Sequence, residues 1–393
     1  MQMLTGMGLL LILGYIGGKL ASKAKLPPLI GMLVVGVLTG PYMLNWLDPS
    51  LLVVSQEIRT FALIIILLRA GLGIKKEHIR QVGTIALKMS SIPCIMEGLT
   101  VLGLTYYLLG FSLAEAGMLG FIIAAVSPAV VVPSMLDLKG KRLGEDKQIP
   151  TLLLAGTSID DVIAITLFTF FLGLGTGARE SHLLLDLGRI PLSILGGVLL
   201  GGVLAYLIVI VFRAIDRRYT EKLVLLLGIT IIFVEFGEYI GIASLLGVMT
   251  IGFILFELIP RQSKEFSLAL GSLWVVLQIL LFALVGAEVN IQVALDAGMT
   301  GVLIILVGLV ARSVGVWLAT AKSALNPRER LFCMIAYTPK ATVQAAIGAI
   351  PLALGVEQGA TMLAFAVLSI VLTAPLGALA IYASAPRLLK KAE

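Results

Sequence analysis

Long runs of apolar residues, separated by short polar segments, recur along all 393 residues of the chain. Because the hydrocarbon core of a bilayer is about 30 Å thick, a spanning helix needs about 20 mainly apolar residues. Runs such as LLVVSQEIRTFALIIILL (51–68) do not alternate in polarity, which excludes the segments of about 10 alternating residues typical of a membrane barrel. The pattern predicts an all-α polytopic membrane protein with thirteen transmembrane helices: 3–20, 28–47, 51–71, 85–109, 113–135, 150–173, 187–213, 222–240, 242–259, 266–288, 298–320, 329–353 and 357–383.

The composition agrees with a membrane protein. Hydrophobic residues make up 59% of the chain and charged residues 13%, whereas soluble proteins carry about 25% charged residues. No sizeable soluble domain fits between the spans, so residues 1–393 are expected to form one integral membrane unit. The two cysteines, Cys94 and Cys333, lie in apolar spans and form no metal-binding or disulfide pattern.

Basic residues cluster in alternate connections between the predicted spans. They are Lys19, Lys23 and Lys25; Lys75, Lys76 and Arg80; Lys139, Lys141, Arg142 and Lys147; Arg213, Arg217, Arg218 and Lys222; Arg261 and Lys264; Lys322, Arg328 and Arg330; and Arg387, Lys390 and Lys391. The other connections are nearly free of them, with Arg179 and Arg189 the exceptions. Because short basic loops stay on the cytoplasmic side, the N-terminus is predicted outside and the C-terminus inside. The net charge of +6 then reflects these loops, and no nucleic-acid partner is expected.

Three segments of the first half recur in the second half, at an offset of about 211–216 residues. LIGMLVVGVL (29–38) is similar to LLGVMTIGFI (245–254), LLRAGLGIKK (67–76) to ALVGAEVNIQ (283–292), and AVSPAVVVPSML (125–136) to AYTPKATVQAAI (336–347). The matched spans lie seven apart, and because seven is odd, two five-span repeats (28–173 and 242–383) would cross the membrane in opposite directions. Inverted repeats are typical of secondary transporters, whose site lies near the midplane between the repeats. Residues 187–213 would form a linker helix, and 222–240 an extra helix.

Two prolines interrupt matched spans near their middle. Pro128 follows Ser127 in the fifth span, and Pro339 follows Thr338 in the twelfth. Because proline removes a backbone donor and clashes with the preceding turn, both helices are predicted to be broken. The broken ends would meet at the membrane centre, where N-terminal ends favour anions and C-terminal ends favour cations. The alternative is a pair of simple proline kinks.

The segment GTSIDDVIAI (156–165) places two adjacent carboxylates in an otherwise uncharged span. Asp160 and Asp161 lie about ten residues into the helix, about 15 Å from its start, and therefore near the midplane. Ionisable residues at this depth indicate a functional site. Adjacent helical residues point about 100° apart, so one carboxylate can face a cavity while the other meets a neighbouring helix.

Asp161 is the predicted exchanging group, assisted by Asp160. Thr157 lies four residues before Asp161 on the same face and would add a hydroxyl oxygen to a site for Na⁺ or Li⁺, which prefer oxygen ligands. A carbonyl freed by the nearby broken helix would complete the shell. Because a desolvated carboxylate also holds a proton more readily, Asp161 could bind a proton and a cation in turn.

Three other charges lie deep in predicted spans. Glu97 and Arg312 occupy equivalent spans of the two repeats, and we interpret them as a buried, mainly structural ion pair. Lys340 follows Pro339 directly, where it would offset the C-terminal dipole of a half-helix or pair with a carboxylate such as Glu288. Charges nearer the span ends are expected to extend to the interface; these are Glu57, Arg59, Arg69, Glu235 and Glu238.

The motifs GTSIDDVIAI (156–165), SPAVVVPSML (127–136) and TPKATVQAAIG (338–348), together with Arg312, resemble the cation/proton antiporter superfamily, specifically its NHA branch of sodium/proton exchangers. The resemblance covers nearly the whole chain. It implies an NhaA-like fold, a homodimer with helix 3–20 at a dimerisation surface, and a moving core mainly in 85–173 and 298–383. It also implies elevator-type exchange of Na⁺ or Li⁺ for H⁺ at Asp161, without a cofactor.

The chain departs from electrogenic relatives by having Arg312 where they place a lysine. Because arginine does not release its proton in proteins, this indicates electroneutral one-for-one exchange. Two alternatives remain on the same fold: K⁺/H⁺ exchange, and sodium-coupled uptake of an organic anion. An enzyme is not expected, because adjacent aspartates on one helix cannot converge on one water as an aspartyl protease requires. The expected location is a prokaryotic inner (cell) membrane.

Overall fold

The computed structural model describes residues 3–24, 26–74, 76–176, 183–214 and 219–391. Regular structure in these ranges is helical, apart from one isolated antiparallel bridge between Leu143 and Lys391. Five basic residues of the predicted charge alternation lie outside the described residues: Lys25, Lys75, Arg179, Arg217 and Arg218.

The helices of the first half, as far as the structure describes it, follow the predicted spans closely. They are α1 (Met3–Lys23), α2 (Pro28–Thr39), α3 (Pro49–Val53), α4 (Ser55–Gly71), α5 (Lys76–Leu109), α6 (Leu113–Ala124), α7 (Pro128–Gly140), α8 (Ile149–Thr176) and α9 (Leu183–Ala214). Local sequence explains several starts. Ser112 and Glu115 form a capping box at α6, and α2, α3 and α7 begin with proline, which is pre-organised for a first helical turn.

The second half continues in the same way. Its helices are α10 (Tyr219–Ile240), α11 (Ser244–Leu258), α12 (Pro260–Ala287), α13 (Ile291–Asp296), α14 (Gly298–Ala319), α15 (Pro327–Ala336), α16 (Thr342–Ile347), α17 (Ile350–Ala353) and α18 (Gly359–Leu388). Asn326 and Glu329 form a capping box at α15.

Nine segments within the described residues are long and apolar enough to cross a membrane: Met3–Lys23, Val82–Leu109, Leu113–Gly140, Ile149–Thr176, Pro191–Ala214, Tyr219–Ile240, Pro260–Ala287, Gly298–Ala319 and Gly359–Leu388. The chain is therefore a helical, multi-pass membrane protein. The predicted count of thirteen stays a prediction, because the other apolar helices, such as α2 and α11, are shorter than a full span.

The three largest differences from the predicted span boundaries are the end of α2 and the starts of α5 and α12. Helix α2 ends at Thr39 rather than 47, because Gly40 precedes Pro41 and a residue before proline disfavours helix. Helix α5 begins at Lys76 rather than 85, and α12 begins at Pro260 rather than 266. Both helices begin in polar residues that precede the apolar run, and the hydropathy pattern does not include these residues.

Both proline-containing spans are broken rather than kinked. Helix α6 ends at Ala124 and α7 begins at Pro128; likewise α15 ends at Ala336 and α16 begins at Thr342. The two breaks touch, since the Ser127 N–H donates to the Pro339 carbonyl at 2.8 Å and the hydroxyls of Ser127 and Thr342 lie 3.4 Å apart. The broken helices therefore meet at one point inside the protein.

The helices form two groups. The first bundle contains α5, α6, α7, α8, α14, α15, α16 and α18, in which α5 packs against α6, α8 and α14. The second bundle contains α1, α2, α4, α9, α10, α11 and α12, in which α2 packs on α12 and α4 on α11. The bundles meet where α8 contacts α9 and α4 contacts α7.

Glycines allow two helix pairs of the second bundle to approach closely. A Cβ atom added to Gly36 or Gly286 would collide with a backbone carbonyl across the α2–α12 contact, and one added to Gly71 or Gly252 would do so across the α4–α11 contact. At Gly252 the collision would be with the Leu68 carbonyl oxygen at 2.5 Å. Glycine is required at these crossings because any side chain would separate the backbones.

The close α4–α11 crossing can be tested by adding a side chain to it. Gly252→Leu should destabilise the protein by about 1–3 kcal/mol or more, because the new side chain overpacks the α4–α11 crossing. Gly228→Leu on α10 is a matched control, since open space surrounds that glycine and both changes raise helix propensity equally. Thermal unfolding of the purified protein in detergent measures both effects. Equal midpoints for the two variants would contradict the described crossing.

Candidate functional site

Asp160 is held by two donors from other elements. Its Oδ1 accepts from the Arg312 guanidinium at 2.7 Å, and its Oδ2 accepts from the Val126 backbone N–H at 2.9 Å. Val126 lies in the break between α6 and α7, where the N–H has no helical partner of its own. The Asp160 side chain is fully buried, so this carboxylate is fixed in place and not available to a cavity.

Arg312, on α14, joins several elements of the first bundle. Besides Asp160, its guanidinium donates to Glu97 Oε2 on α5 at 2.8 Å and to the carbonyls of Ala124 and Tyr337 at the ends of α6 and α15. The guanidinium also lies over the Tyr337 ring, 5.2 Å from its centre. The predicted Glu97–Arg312 contact is thus present, inside a larger network.

Lys340 belongs to the same network. Its ammonium donates to Glu97 Oε2 at 2.6 Å and lies 3.5 Å from the Ala124 carbonyl oxygen. The Lys340 backbone N–H donates to the Thr373 hydroxyl at 2.8 Å. One glutamate therefore holds two cations, both directed at the C-terminal end of α6, where a helix dipole favours positive charge.

The prediction that Lys340 could pair with Glu288 is wrong. Glu288 caps the end of α12 in the second bundle, where it forms a two-pronged pair with Arg59 at 2.8 Å and accepts from the Ser55 hydroxyl at 2.7 Å. Lys340 instead lies in the first bundle against α5. The expectation that Arg59 extends to the interface is also wrong, since it is 5% exposed and satisfied by this pair.

A glutamine caps the carbonyls that the α6 break frees. The Gln344 side-chain N–H groups donate to the carbonyls of Ile122 and Ala125, at 3.0 and 2.9 Å. Together with Arg312 and Lys340, it supplies donors for the end of α6, where the last four carbonyls of a helix lack intrahelical partners. We expect a carbonyl freed by a broken helix to complete the cation shell, and each of these two carbonyls already accepts a protein hydrogen bond.

The network balances its own charge. Glu97 and Asp160 carry two negative charges, and Arg312 and Lys340 carry two positive charges. All four side chains are at most 1% exposed. A buried charge is tolerated only when it is paired and hydrogen-bonded, so these four groups satisfy one another.

Asp161 does not belong to this charge-balanced network. It lines a cavity of about 630 Å³ that also contacts Pro128 and Thr342, the first residues of the second half-helices, and that extends to Arg59 and Glu238 at helix ends. Asp161 Oδ1 has no hydrogen-bond partner. Among the residues that the structure describes, no lysine or arginine pairs with it. A carboxylate in this position can accept a proton or a cation from the cavity.

The hydroxyls of Thr157 and Thr338 donate to backbone carbonyls of their own segments. The Thr157 hydroxyl is buried and donates to the Leu153 and Leu154 carbonyls, which leaves its oxygen free to accept or to coordinate. The Thr338 hydroxyl donates to the Ile335 carbonyl at 2.9 Å. No group of three or more His, Cys, Asp or Glu residues that could hold a metal occurs in the described ranges.

Sequence reasoning missed three residues of the site, all within or beside TPKATVQAAIG. They are Tyr337, Thr342 and Gln344. Gln344 carries the signal that could have identified it, because an amide in the middle of an apolar span needs partners as a charge does. Thr342 is a hydroxyl residue three positions after a helix-breaking proline, but its place beside Asp161 depends on how the two breaks cross.

Two crossing broken helices around buried, ion-paired carboxylates, in a multi-pass helical protein, define a membrane antiporter fold. The structure is similar to two structures of the sodium proton antiporter MjNhaP1 from Methanocaldococcus jannaschii. One has a TM-score of 0.79 and 19% identity over 100% of both chains; the other, at pH 8, has a TM-score of 0.77 and 20% identity over 97% of both chains. At identities this low, the similarity shows a shared fold and nothing further.

Residues 8–382 match the family model described as "Sodium/hydrogen exchanger, transmembrane", and the chain belongs to this family. It is 36% identical to human sodium/hydrogen exchanger 9B2 over 419 residues, covering 99% of this chain and 76% of the relative. It is 30% identical to human sodium/hydrogen exchanger 9B1 over 414 residues, covering 99% and 78%. The predicted membership of the sodium/proton exchangers is confirmed, and the protein is a transporter.

Because the network is charge-balanced, removing the charge of Glu97 should strongly lower the stability of the protein. Glu97→Gln should lower stability by about 3–5 kcal/mol, because it leaves two buried cations with a single balancing carboxylate. Glu235→Gln, at an exposed position on α10, should change stability by less than about 0.5 kcal/mol. Thermal unfolding in detergent compares them.

A double-mutant cycle with Arg312→Gln then distinguishes loss of the Glu97–Arg312 interaction from a non-specific loss of stability. We expect the double variant to be much less destabilised than the sum of the single variants, since residues in one buried ionic network are coupled. Additive effects would exclude a direct Glu97–Arg312 interaction.

Proposed function

We propose that the protein exchanges Na⁺ or Li⁺ for H⁺, with Asp161 binding the cation and the proton alternately. The observation that carries this proposal is the charge balance of the site. Four buried groups neutralise one another, and the fifth, Asp161, faces a cavity without a charged partner among the described residues. An unpaired carboxylate at membrane depth needs a positive partner, and the cavity can supply either a proton or a metal ion.

Oxygen atoms near Asp161 suit a small hard cation. Thr342 lines the same cavity, and the Thr157 hydroxyl oxygen lies one helical turn before Asp161. These hydroxyls and the carboxylate are the ligand types that hard cations prefer. Asp160, fixed by Arg312, adds negative potential without binding the ion directly. The cation is transported cargo, and the site needs no resident cofactor.

Both halves of the chain contribute equivalent contacts, which supports the inverted repeat. The α2–α12 crossing at Gly36 and Gly286 has a counterpart in the α11–α4 crossing at Gly252 and Gly71. Two contacts at the centre join residues 215 positions apart, Ser127 with Thr342 and Glu97 with Arg312. A pseudo-two-fold axis in the membrane plane would produce such reciprocal contacts, and transporters of this kind bind their ions at that axis.

The predicted orientation, with the N-terminus outside, gives the cavity a direction. Its far lining residues lie at the start of α4, the end of α10 and the α10–α11 connection, for example Gln56, Glu238 and Gly241. All of these positions are then outside, so the structure represents an outward-facing state. We propose that the first bundle moves against a dimeric second bundle to expose Asp161 on the other side.

We propose one-for-one, electroneutral exchange. Arg312 keeps its proton, so it cannot release a second one. Lys340 shares the Glu97 carboxylate with Arg312, and its loss of a proton would leave the four-charge network with one excess negative charge. The site therefore exchanges one positive charge at Asp161 for another.

Among the alternatives on this fold, K⁺/H⁺ exchange would use the same ligands. Measuring proton flux with Na⁺, Li⁺ and K⁺ in turn distinguishes it from Na⁺/H⁺ exchange. Uptake of an organic anion is disfavoured. The cavity is large enough for one, but its buried end carries the Asp161 carboxylate, and the Arg59 guanidinium is occupied by Glu288.

Asp161→Asn should abolish Na⁺- and Li⁺-driven proton movement in proteoliposomes, because asparagine keeps the shape of the side chain but has no negative charge to hold the cation and no group that takes up a proton. Asp137→Asn, at a partly exposed position paired with Lys141, should leave transport unchanged, since such surface pairs contribute little. A pH-sensitive dye inside the vesicles measures both, with Na⁺, Li⁺ and K⁺ added in turn. Undiminished flux in Asp161→Asn with unchanged thermal stability would refute the proposal, and flux with K⁺ alone would replace it by K⁺/H⁺ exchange.

Electroneutral exchange predicts no response to voltage. In vesicles of equal internal and external pH, a K⁺ diffusion potential set with valinomycin should drive no steady-state accumulation of radioactive sodium. An imposed pH gradient in the same vesicles should drive accumulation and serves as the positive control. Accumulation driven by voltage alone would show that more than one proton moves per sodium ion.

A further inference from the structure

A second cavity lies between the two bundles, and none of the residues assigned to ion binding lines it. Its volume is about 730 Å³, and it is lined by α5 and α8 of the first bundle and by α9 and α11 of the second, for example by Val82, Ile159, Val203 and Phe253. No charged side chain lines it within the described residues. The hydroxyl of its one lining threonine, Thr250, is bonded to its own helix at the Leu246 carbonyl. Water has few partners in such a space, and apolar cavities of this kind hold apolar ligands.

The cavity opens on the surface that faces the bilayer. Leu199, Val203 and Tyr206 of α9 border it and are each more than half exposed. They belong to the apolar segment Pro191–Ala214, which is long enough to cross a membrane. The opening therefore lies at the depth of the lipid tails, so the molecules available to enter it are membrane lipids.

Basic residues lie near the end of the cavity at the α4–α5 connection, together with the Glu257 carboxylate, which accepts from the Lys76 backbone N–H at 3.1 Å. Arg80 and Lys76 are exposed within a few residues of the lining residue Val82. Arg213 lies on α9 beyond the lining residue Leu207, and its guanidinium donates to the Leu258 carbonyl at 3.2 Å. Basic residues beside a gap between transmembrane helices are suited to anionic lipid head groups.

We propose that this cavity binds one acyl chain of an anionic phospholipid, with the phosphate of its head group near Arg80 and Lys76. The chain lies between the first and second bundles, so a relative movement of the bundles must reshape or expel it. Binding itself is independent of the proposed ion exchange. Only its effect on the rate of bundle movement depends on that exchange.

Two glycines allow the cavity to be filled without disturbing the packing. A Cβ atom at Gly83 would meet nothing within 4 Å, and one at Gly202 would meet only the Ile254 side chain at 3.4 Å. Both residues line the cavity. The double variant Gly83→Leu/Gly202→Leu therefore fills the space with two side chains. Gly103→Leu, on the same α5 helix and also in open space, is the matched control.

The test uses full-length protein in nanodiscs and needs no transport. Phosphatidylglycerol carrying a photoreactive diazirine on its acyl chain is cross-linked, and labelled peptides are identified by mass spectrometry. We expect labels on the α9 and α11 residues of the cavity, and an about tenfold lower yield there in the double variant, which corresponds to losing the burial of about two methylene groups. The Gly103→Leu protein should label like the unmodified protein. Equal yields in the double variant and the control, with equal thermal stability, would overturn the proposal.

The head group is tested with the same label on phosphatidylcholine. The unmodified protein should label about fivefold better with phosphatidylglycerol, as expected for about 1 kcal/mol from a nearby basic residue. The variant Arg80→Gln should reduce this preference while leaving labelling by phosphatidylcholine unchanged. Equal labelling by the two lipids in the unmodified protein would overturn the assignment of an anionic head group. Because these readouts involve no ion flux, they fail or succeed independently of the proposed exchange.

Discussion

The centre of this protein depends on the hydrogen bonds and ion pairs that the Arg312 guanidinium makes. A charge at membrane depth must be paired and hydrogen-bonded, and Arg312 meets this requirement by contacting Glu97 and Asp160 together with the freed ends of α6 and α15. Each partner belongs to a different element of the first bundle. A single desolvated cation thus connects α5, α6, α8, α14 and α15, and this connection supports movement of the bundle as one unit in the proposed cycle.

The broken helices follow from the same requirement. A break inside a membrane protein is tolerated only where its freed carbonyls find donors, and here the donors are Arg312, Lys340 and Gln344. With the C-terminal ends satisfied in this way, the N-terminal ends at Pro128 and Thr342 are left to border the cavity beside Asp161. The positive end of the α7 dipole then favours the negative carboxylate. Side chains that stabilise the break therefore also determine which groups face the cavity.

Much of this arrangement follows from the sequence, and the limit is physical. The breaks at Pro128 and Pro339 and the different directions of Asp160 and Asp161 result from local geometry, which a single helix determines. The Glu97–Arg312 contact was predictable because the two residues occupy equivalent spans. The partner of Lys340 was not predictable, because several buried carboxylates could pair with its ammonium. Which of them does so depends on where the two broken helices cross inside the bundle. A cavity beside one aspartate was expected, but the size and lining of the two cavities were not predictable, since both are gaps between helices that are far apart in sequence.

The two cavities differ in a way that bears on how leakage is avoided. Both lie between the bundles, and α8 borders both, with Asp161 on the first and Ile159 on the second. An antiporter must never connect its site to both sides at once, because ions would then flow freely. In the outward-facing state proposed here, a second cavity filled with water would leave only a thin wall of side chains around Asp161. An apolar second cavity prevents this, since a hydrated ion entering it would lose its solvation without gaining a partner. The hydrophobic lining of the closed side thus serves the exchange as directly as the carboxylate on the open side.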